Sequence, residues 1–292
     1  QIVELGLQDP FYVFEKMEPI KLEKDIRVVL GGSVVDESIG RCFNKRIDTA
    51  CKEVYGDVPQ MIGLGFTQEG LIAIRAAASL VADADPQRRV VSADVRGWEY
   101  TFQEWDFLGD ACSRVEIYGL KRSNPWARYA VNRSLTLSRG VFVFTGGLVM
   151  EQIDPGVMKS GIDITGSANS RVRAKKAFAI GAAEVKAAGD DTMESPVDDA
   201  AEKYMRLGVF LKEYVVGSEK DFEFCSMRYD GERFVPLRAA KSFHKLLAEG
   251  PDLGKYMQVL LMYREADLFG KFYAEVERLG WPTAQTLKED WD

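Results

Sequence analysis

Apolar residues recur along the chain at two spacings, and each spacing predicts its own kind of element. In "TQEGLIAIRAAASLVA", residues 67–82, Leu71, Ile74, Ala78 and Val81 fall on one helical face. Thr67 stands where its hydroxyl can cap the first turn, and "DADPQ" ends the pattern. Helical spacing returns in "FQEWDFLGDACSRVEIYGL". It predicts a further helix from Ser167 to Gly181, with Ala and Phe on one side and Arg and Lys on the other. Strand patterns lie between: "IRVVL" at 26–30, "RRVVSADVRG" at 88–97, and "RGVFVFTGG" at 139–147 as a hairpin arm with a glycine turn. Two short strands flank Gly189, Asp190 and Asp191. A helix "VDDAAEKYMRLG", a strand "VFLKEYVVG" and a hairpin "DFEFCSMRYDGERFVPL" turning at Asp230-Gly231 follow, and the last fifty residues read as helical. Hairpins with intervening helices predict an α+β fold, not an alternating doubly wound sheet.

At 292 residues the chain is long enough to bury a large core, as one elaborated domain or two to three subdomains. No apolar run is long enough to cross a bilayer. Cys42, Cys51, Cys112 and Cys225 form no C-x-x-C pair, which argues against a zinc site or a disulfide framework and for reduced, buried thiols. The lone His244 sits in the amphipathic "AAKSFHKLL" and reads as structural, so catalysis must run without imidazole. A net charge of −7 excludes a generally basic, nucleic-acid-coating surface. A local basic channel stays open: "KRSNPWARYAVNRSLTLSR", 121–139, carries five cations and no acid, and "RVRAKK" adds four more. From charge alone, both stretches read as solvated faces.

Asp190 and Asp191 raise the chemical question. Asp is a common turn residue, but two like charges held side by side repel unless a cation lies between them. Magnesium suits such a place, since it takes carboxylate oxygens and keeps substrate phosphates in its shell. Holding two metals about 4 Å apart for in-line phosphoryl displacement needs an acid from a second strand. Asp94, at the end of "VVSAD", is the candidate, and only tertiary structure can bring it to Asp190. Between them "KSGIDITGSANSR", 159–171, offers flexible glycines and the sugar-binding groups of Ser160, Thr165, Asn169 and Ser170, while Thr165 or Ser167 could equally cap a helix.

The order of these segments resembles the viral RNA-dependent RNA polymerases, specifically the sobemovirus-like group of positive-strand RNA viruses with its barnavirus and polerovirus relatives. "FEKMEPIKLEKDIRVVL" at 14–30 resembles that group's fingers segment, "DVRGWEYTFQEW" its first catalytic motif, and "SGIDITGSANS" its S-G-x-x-x-T-x-x-x-N-S pattern. "GDD", "EKYMRLGVFLKEY" and "FEFCSMRY" complete six segments in order, spread over about three quarters of the chain.

The resemblance implies a right-hand polymerase with an antiparallel palm sheet, compact fingers and a small helical thumb. Its parts would be fingers at 1–88 and 113–157, palm at 89–112 and 158–222, and thumb at 223–292. The implied activity is RNA-directed RNA polymerisation: two-metal, template-directed nucleotidyl transfer from NTPs to an RNA 3′ hydroxyl. Asp94 and Asp190 would hold Mg²⁺, or Mn²⁺, with Asp191 in support. Lys16, Lys21, Lys24 and Arg27 would line the path of the incoming triphosphate. Ser160, Gly161, Thr165 and Asn169 would read template and ribose. Lys212 would protonate the leaving pyrophosphate, or else be a plain surface charge on its strand. Glu99 stands where the family carries an Asp that senses the sugar, so its longer arm changes that geometry. Trp98 and Trp105 are expected to pack and not to stack on bases. The implied partners are template and nascent RNA, NTPs and other viral replication proteins, in host cytoplasm on membrane-associated complexes. Two rivals stay open: a catalytically weak RNA-binding scaffold and a reverse transcriptase.

Overall fold

The computed structural model describes residues 8–16, 27–54, 56–249, 259 and 269–280. A four-stranded antiparallel sheet, ordered β6-β7-β3-β8, organises the chain. Its members are β3 (Arg89–Val95), β6 (Val185–Ala188), β7 (Asp191–Glu194) and β8 (Leu211–Ser218). The two-residue side-chain period sends neighbouring positions to opposite faces. On one face Val185 and Ala187 pack on α5 (Thr165–Ala179), in a core with Phe102, Phe107 and Tyr204. On the other, Val90 and Met193 pack on α2 (Gln68–Asp83) and on a small sheet of β9 (Phe222–Phe224), β10 (Met227–Tyr229) and β11 (Phe234–Pro236).

A second four-stranded sheet, ordered β2-β1-β4-β5, contains β1 (Phe11–Glu15), β2 (Val28–Gly31), β4 (Val141–Phe144) and β5 (Val149–Glu151), with β1 and β4 parallel. Helices α1 (Val34–Glu53), α3 (Glu104–Ile117) and α4 (Pro125–Ser138) meet beside it around Phe43, Ala111 and Ala130. Further described elements are a 3₁₀ turn (Trp98–Thr101) and helices α6 (Ala200–Arg206), α7 (Ala239–Glu249) and α8 (Phe269–Arg278). The lone His244 is exposed on α7.

The α+β expectation holds, and so do α2 with its Thr67 cap, β3, α3, the β4–β5 hairpin and the β6–β7 hairpin. The helix expected from Ser167 starts at Thr165, and neither Thr165 nor Ser167 caps it, because Ile164 is the N-cap. The hairpin expected over 221–237 is a three-strand meander. Its extra turn at Cys225 and Ser226 uses two left-handed residues that carry no turn signal. The basic face expected on α5 is a correction: Arg171, Arg173 and Lys176 are buried, each against a carboxylate, while Lys175 stays outside. Burying a charge is costly unless it is paired, and the partners Asp110, Glu194 and Asp106 come from elements far away in sequence. Trp98 packs in the core as expected, whereas Trp105 is half exposed with the Lys176 ammonium 4.9 Å from its ring.

Candidate active site

Register carries the acids together. Ala93 of β3 pairs with Thr192 of β7 as the last pair of that ladder, so Asp94 and Asp191, the next residue on each strand, leave the sheet at the same end and line one cavity. Asp190 is on the adjoining turn, where Gly189 takes φ +68° to reverse the chain between Ala188 and Asp191. The electrostatics record the crowding. Burial, followed by the charges of Asp190 and Asp94, pushes the Asp191 carboxyl up to about 7. Asp190 is raised by burial, with Glu99 and Asp94 adding to it.

A cavity of about 220 Å³ opens here, lined by Asp94, Asp191, Lys212, the Cys225–Ser226 turn and Arg238. A larger cavity of about 770 Å³ lies between α4 and the β4–β5 hairpin, and none of Asp94, Asp190 and Asp191 lines it. The crowded carboxylates make the smaller one the candidate site. Lys212 donates to Asp94, and that bond raises the Lys212 ammonium above its ordinary range. Among the described residues no group of three or more His, Cys, Asp or Glu is arranged to hold a metal ion as it stands. The donor set nevertheless has the chemistry for one: hard carboxylate oxygens whose mutual repulsion a divalent cation would relieve. Lys212 occupies one Asp94 oxygen, Oδ2.

The Ser160–Asn169 segment is stitched to the second sheet. Gly161 donates to the Leu30 carbonyl at 3.0 Å and bridges Gly31, and a Cβ at Gly161 would come within 2.8 Å of the Leu30 oxygen. Leu30 N–H reaches the Ser160 hydroxyl at 3.4 Å. Thr165 spends its hydroxyl on the carbonyls of Lys159 and Ile162, so it shapes the loop's own turn. Asn169 keeps a buried side-chain oxygen with no protein partner. Glu99 is 3.7 Å from the Arg27 guanidinium, joining the turn after β3 to the residue that precedes β2. Lys16 is exposed at the end of β1, its backbone bonded to the Arg27 carbonyl, and Lys21 and Lys24 lie outside the described residues.

Sequence reading missed two buried polar networks and a lysine behind this site. Beneath the Asp190–Asp191 turn, Arg173 donates to Tyr204 (2.6 Å) and Thr192 (2.9 Å), and Tyr204 donates to Glu194. Between α3 and α5, Asp110 accepts from both Arg114 and Arg171. Lys159, 0% exposed, donates to Gln152 Oε1 and the Gly156 carbonyl among the rings of Phe11, Phe107 and Phe142. Its only sequence signal is adjacency to Ser160.

Burial without a carboxylate lowers the Lys159 ammonium to about 7. Between that value and the ordinary one near 10.4, the unfolded chain binds more protons than the folded one, so stability rises with pH across this window. We predict that the stability of the parent relative to Lys159→Met increases by about 2 kcal/mol from pH 7 to pH 9 in urea unfolding. A difference independent of pH would show that Lys159 stays fully charged.

Comparison with known proteins places these features. A family described as viral RNA-directed RNA-polymerase matches residues 111–242. The replicase polyprotein P2AB of Southern bean mosaic virus is 32% identical over 263 residues, covering 85% of this chain and 26% of that protein. The RNA-directed RNA polymerase of Mushroom bacilliform virus is 27% identical over 285 residues, covering 90% of this chain and 66% of that protein. The chain therefore spans about a quarter of the first relative and somewhat under two thirds of the second. In three dimensions it is similar to the crystal structure of the RNA-dependent RNA polymerase of a human picorbirnavirus. The TM-score is 0.70 at 12% identity, covering 91% of this chain and 55% of that one, a likeness of fold.

Proposed function

We propose that this chain, similar over most of its length to viral RNA-directed RNA polymerases and replicases, copies RNA, joining NTPs to the 3′ hydroxyl of a growing strand during viral genome replication. The observation that carries this is the meeting of Asp94 with Asp190 and Asp191 at the end of the β3–β7 ladder, where burial, and then the neighbouring carboxylate charges, raise the proton affinity of Asp190 and Asp191.

On this reading the central sheet is the palm, and Asp94, Asp190 and Asp191 would hold Mg²⁺ or Mn²⁺. When bound, the metal supplies Lewis acidity to the triphosphate and eases deprotonation of the 3′ hydroxyl. The chain's own groups do the rest. Arg27 and Lys16, with Lys21 and Lys24, neutralise the incoming triphosphate. Asn169 offers its orphaned oxygen to a ribose hydroxyl, and Glu99, shared with Arg27, is the second group we assign to the sugar. The backbone at Ser160 and Gly161 lets the template approach closely. Lys212, released from Asp94, gives a proton to the departing pyrophosphate.

No helix among the described residues is long and apolar enough to cross a membrane. We assign localisation to cytoplasmic, membrane-associated replication complexes through other viral proteins.

The test is template-directed incorporation. With Mg²⁺, a poly(A) template and an oligo(U) primer should direct UMP addition and a primed poly(C) template GMP addition, each from NTPs in preference to dNTPs. Addition that ignores the template base would overturn copying, and preference for dNTPs would favour a reverse transcriptase.

A further inference from the structure

The basic stretch at 121–139 divides in two. Arg133 is buried against Asp36 and Arg139 faces Glu104 at 3.6 Å, so both serve the fold. Lys121 and Arg122, on the turn before α4, are exposed, as are Lys45 and Arg46 on α1. None of these four makes an ion pair among the described residues. The Arg133–Asp36 contact at one end and the Trp126–Phe43 contact further along make α1 and α4 antiparallel. Lys121 and Arg122 therefore extend towards the half of α1 that carries Lys45 and Arg46.

Trp126 sits in this basic setting with 52% of its surface exposed. Its ring is stacked on Phe43 at 5.9 Å and 17°, and Tyr129 meets it edge-on at 5.9 Å. One side of the indole is thus held by aromatic rings while the residue stays half open to solvent. A single exposed ring is ordinary on a protein surface; what sets this one apart is the aromatic backing that holds its plane.

The place also connects to the Ser160–Asn169 loop. Helix α1 begins at Ser33, directly after the strand that holds Gly161, and a Cβ at Gly40 would lie 2.7 Å from the Asp163 carboxylate of the same loop. Phe43 is one turn further, about 15 Å along the helix from Ser33.

We propose that Trp126, together with Lys121 and Arg122 on the turn before α4 and Arg46 on α1, is a docking surface for single-stranded RNA: the unread 5′ strand of the template ahead of the cleft. A base stacks on the free side of the indole and the cations take the neighbouring phosphates. Exposed cations together with a rigid aromatic plane, on a chain whose net charge is −7, match a polyanion with flat bases better than an apolar protein face. The choice of template strand rests on the polymerase reading; single-strand binding itself does not.

Fluorescence anisotropy tests it, using primed templates of identical duplex with 5′ single-stranded extensions of two or fifteen nucleotides. The quantity read is the affinity ratio, long over short. The parent should prefer the long extension, increasingly at low salt. Trp126→Ala and the double variant Lys121→Glu with Arg122→Glu should each reduce the ratio by about 10-fold, and Trp126→Phe should restore most of it. The charge variant replaces exposed residues only, so it reports binding even where Trp126→Ala fails to fold. An unchanged ratio in the charge variant overturns the proposal and leaves this face to another partner. So does a parent that binds both extensions equally. Absence of nucleotide incorporation by the parent would instead sink the polymerase reading, while the anisotropy ratio would still decide the docking surface.

Discussion

Asp190→Ala should fold like the parent and lose at least about 10³-fold of its nucleotide incorporation, the equivalent of roughly 4 kcal/mol of transition-state stabilisation. The two halves of that expectation have separate causes. Asp190 lies on a turn, and the reversal is made by Gly189, so the backbone does not need the carboxylate. Burial and the nearby Glu99 and Asp94 raise its proton affinity, which means that the ionised acid is a burden on the folded state. Removing it should leave the melting temperature unchanged or raise it slightly. Activity should vanish because one of three crowded oxygen donors is gone. A variant that loses activity and fold together would make Asp190 a structural residue, and one that incorporates like the parent would remove it from the site.

The largest effect on stability is expected at Asp110. Its carboxyl is fully buried between the guanidinium groups of Arg114 and Arg171, with bonds of 2.8 and 2.6 Å. Burial pushes this acid up, yet the two arginines outweigh burial and hold it well below the usual carboxylate range. Asp110→Ala leaves two buried guanidinium groups with only their longer 3.5 Å contacts to Asp48, which costs about 3–5 kcal/mol. At roughly 2–4 °C per kcal/mol for a chain of this size, the melting temperature should fall by about 10 °C. The exposed pair of Arg206 and Glu202 is the contrast: Glu202→Ala should change stability by less than about 0.5 kcal/mol. Equal losses for the two variants in thermal unfolding would contradict the distinction.

Asp110 also shows where legibility in the sequence ends. Elements whose burial follows a local period could be read directly: α2 from Leu71, Ile74, Ala78 and Val81, and β3 from its run of valines. The acids of the site could be proposed because turn chemistry and like-charge repulsion are local arguments, although the register that joins Asp94 to Asp191 is a property of the sheet. α1 escaped notice because its inner face includes Gly40 and Asn44. Those positions make sense only when Asp163 packs on the first and Arg114 and Asp163 bond the second. The cations of α5 looked solvated for the same reason: their carboxylate partners arrive from α3 and β7. No periodicity marks a lysine among three phenylalanines, so Lys159 had to be found in three dimensions.

Titration of Mn²⁺ into the purified chain, followed by electron paramagnetic resonance, tests the central claim most directly. If carboxylates from β3 and from the β6–β7 hairpin share their cations, Asp94→Asn and Asp190→Asn must each weaken Mn²⁺ binding. The loss should exceed the roughly 10-fold seen even for groups that merely support a ligand. Parent-like binding by Asp94→Asn beside a loss in Asp190→Asn would mean that the two strands do not act on a common ion, and the account would fail.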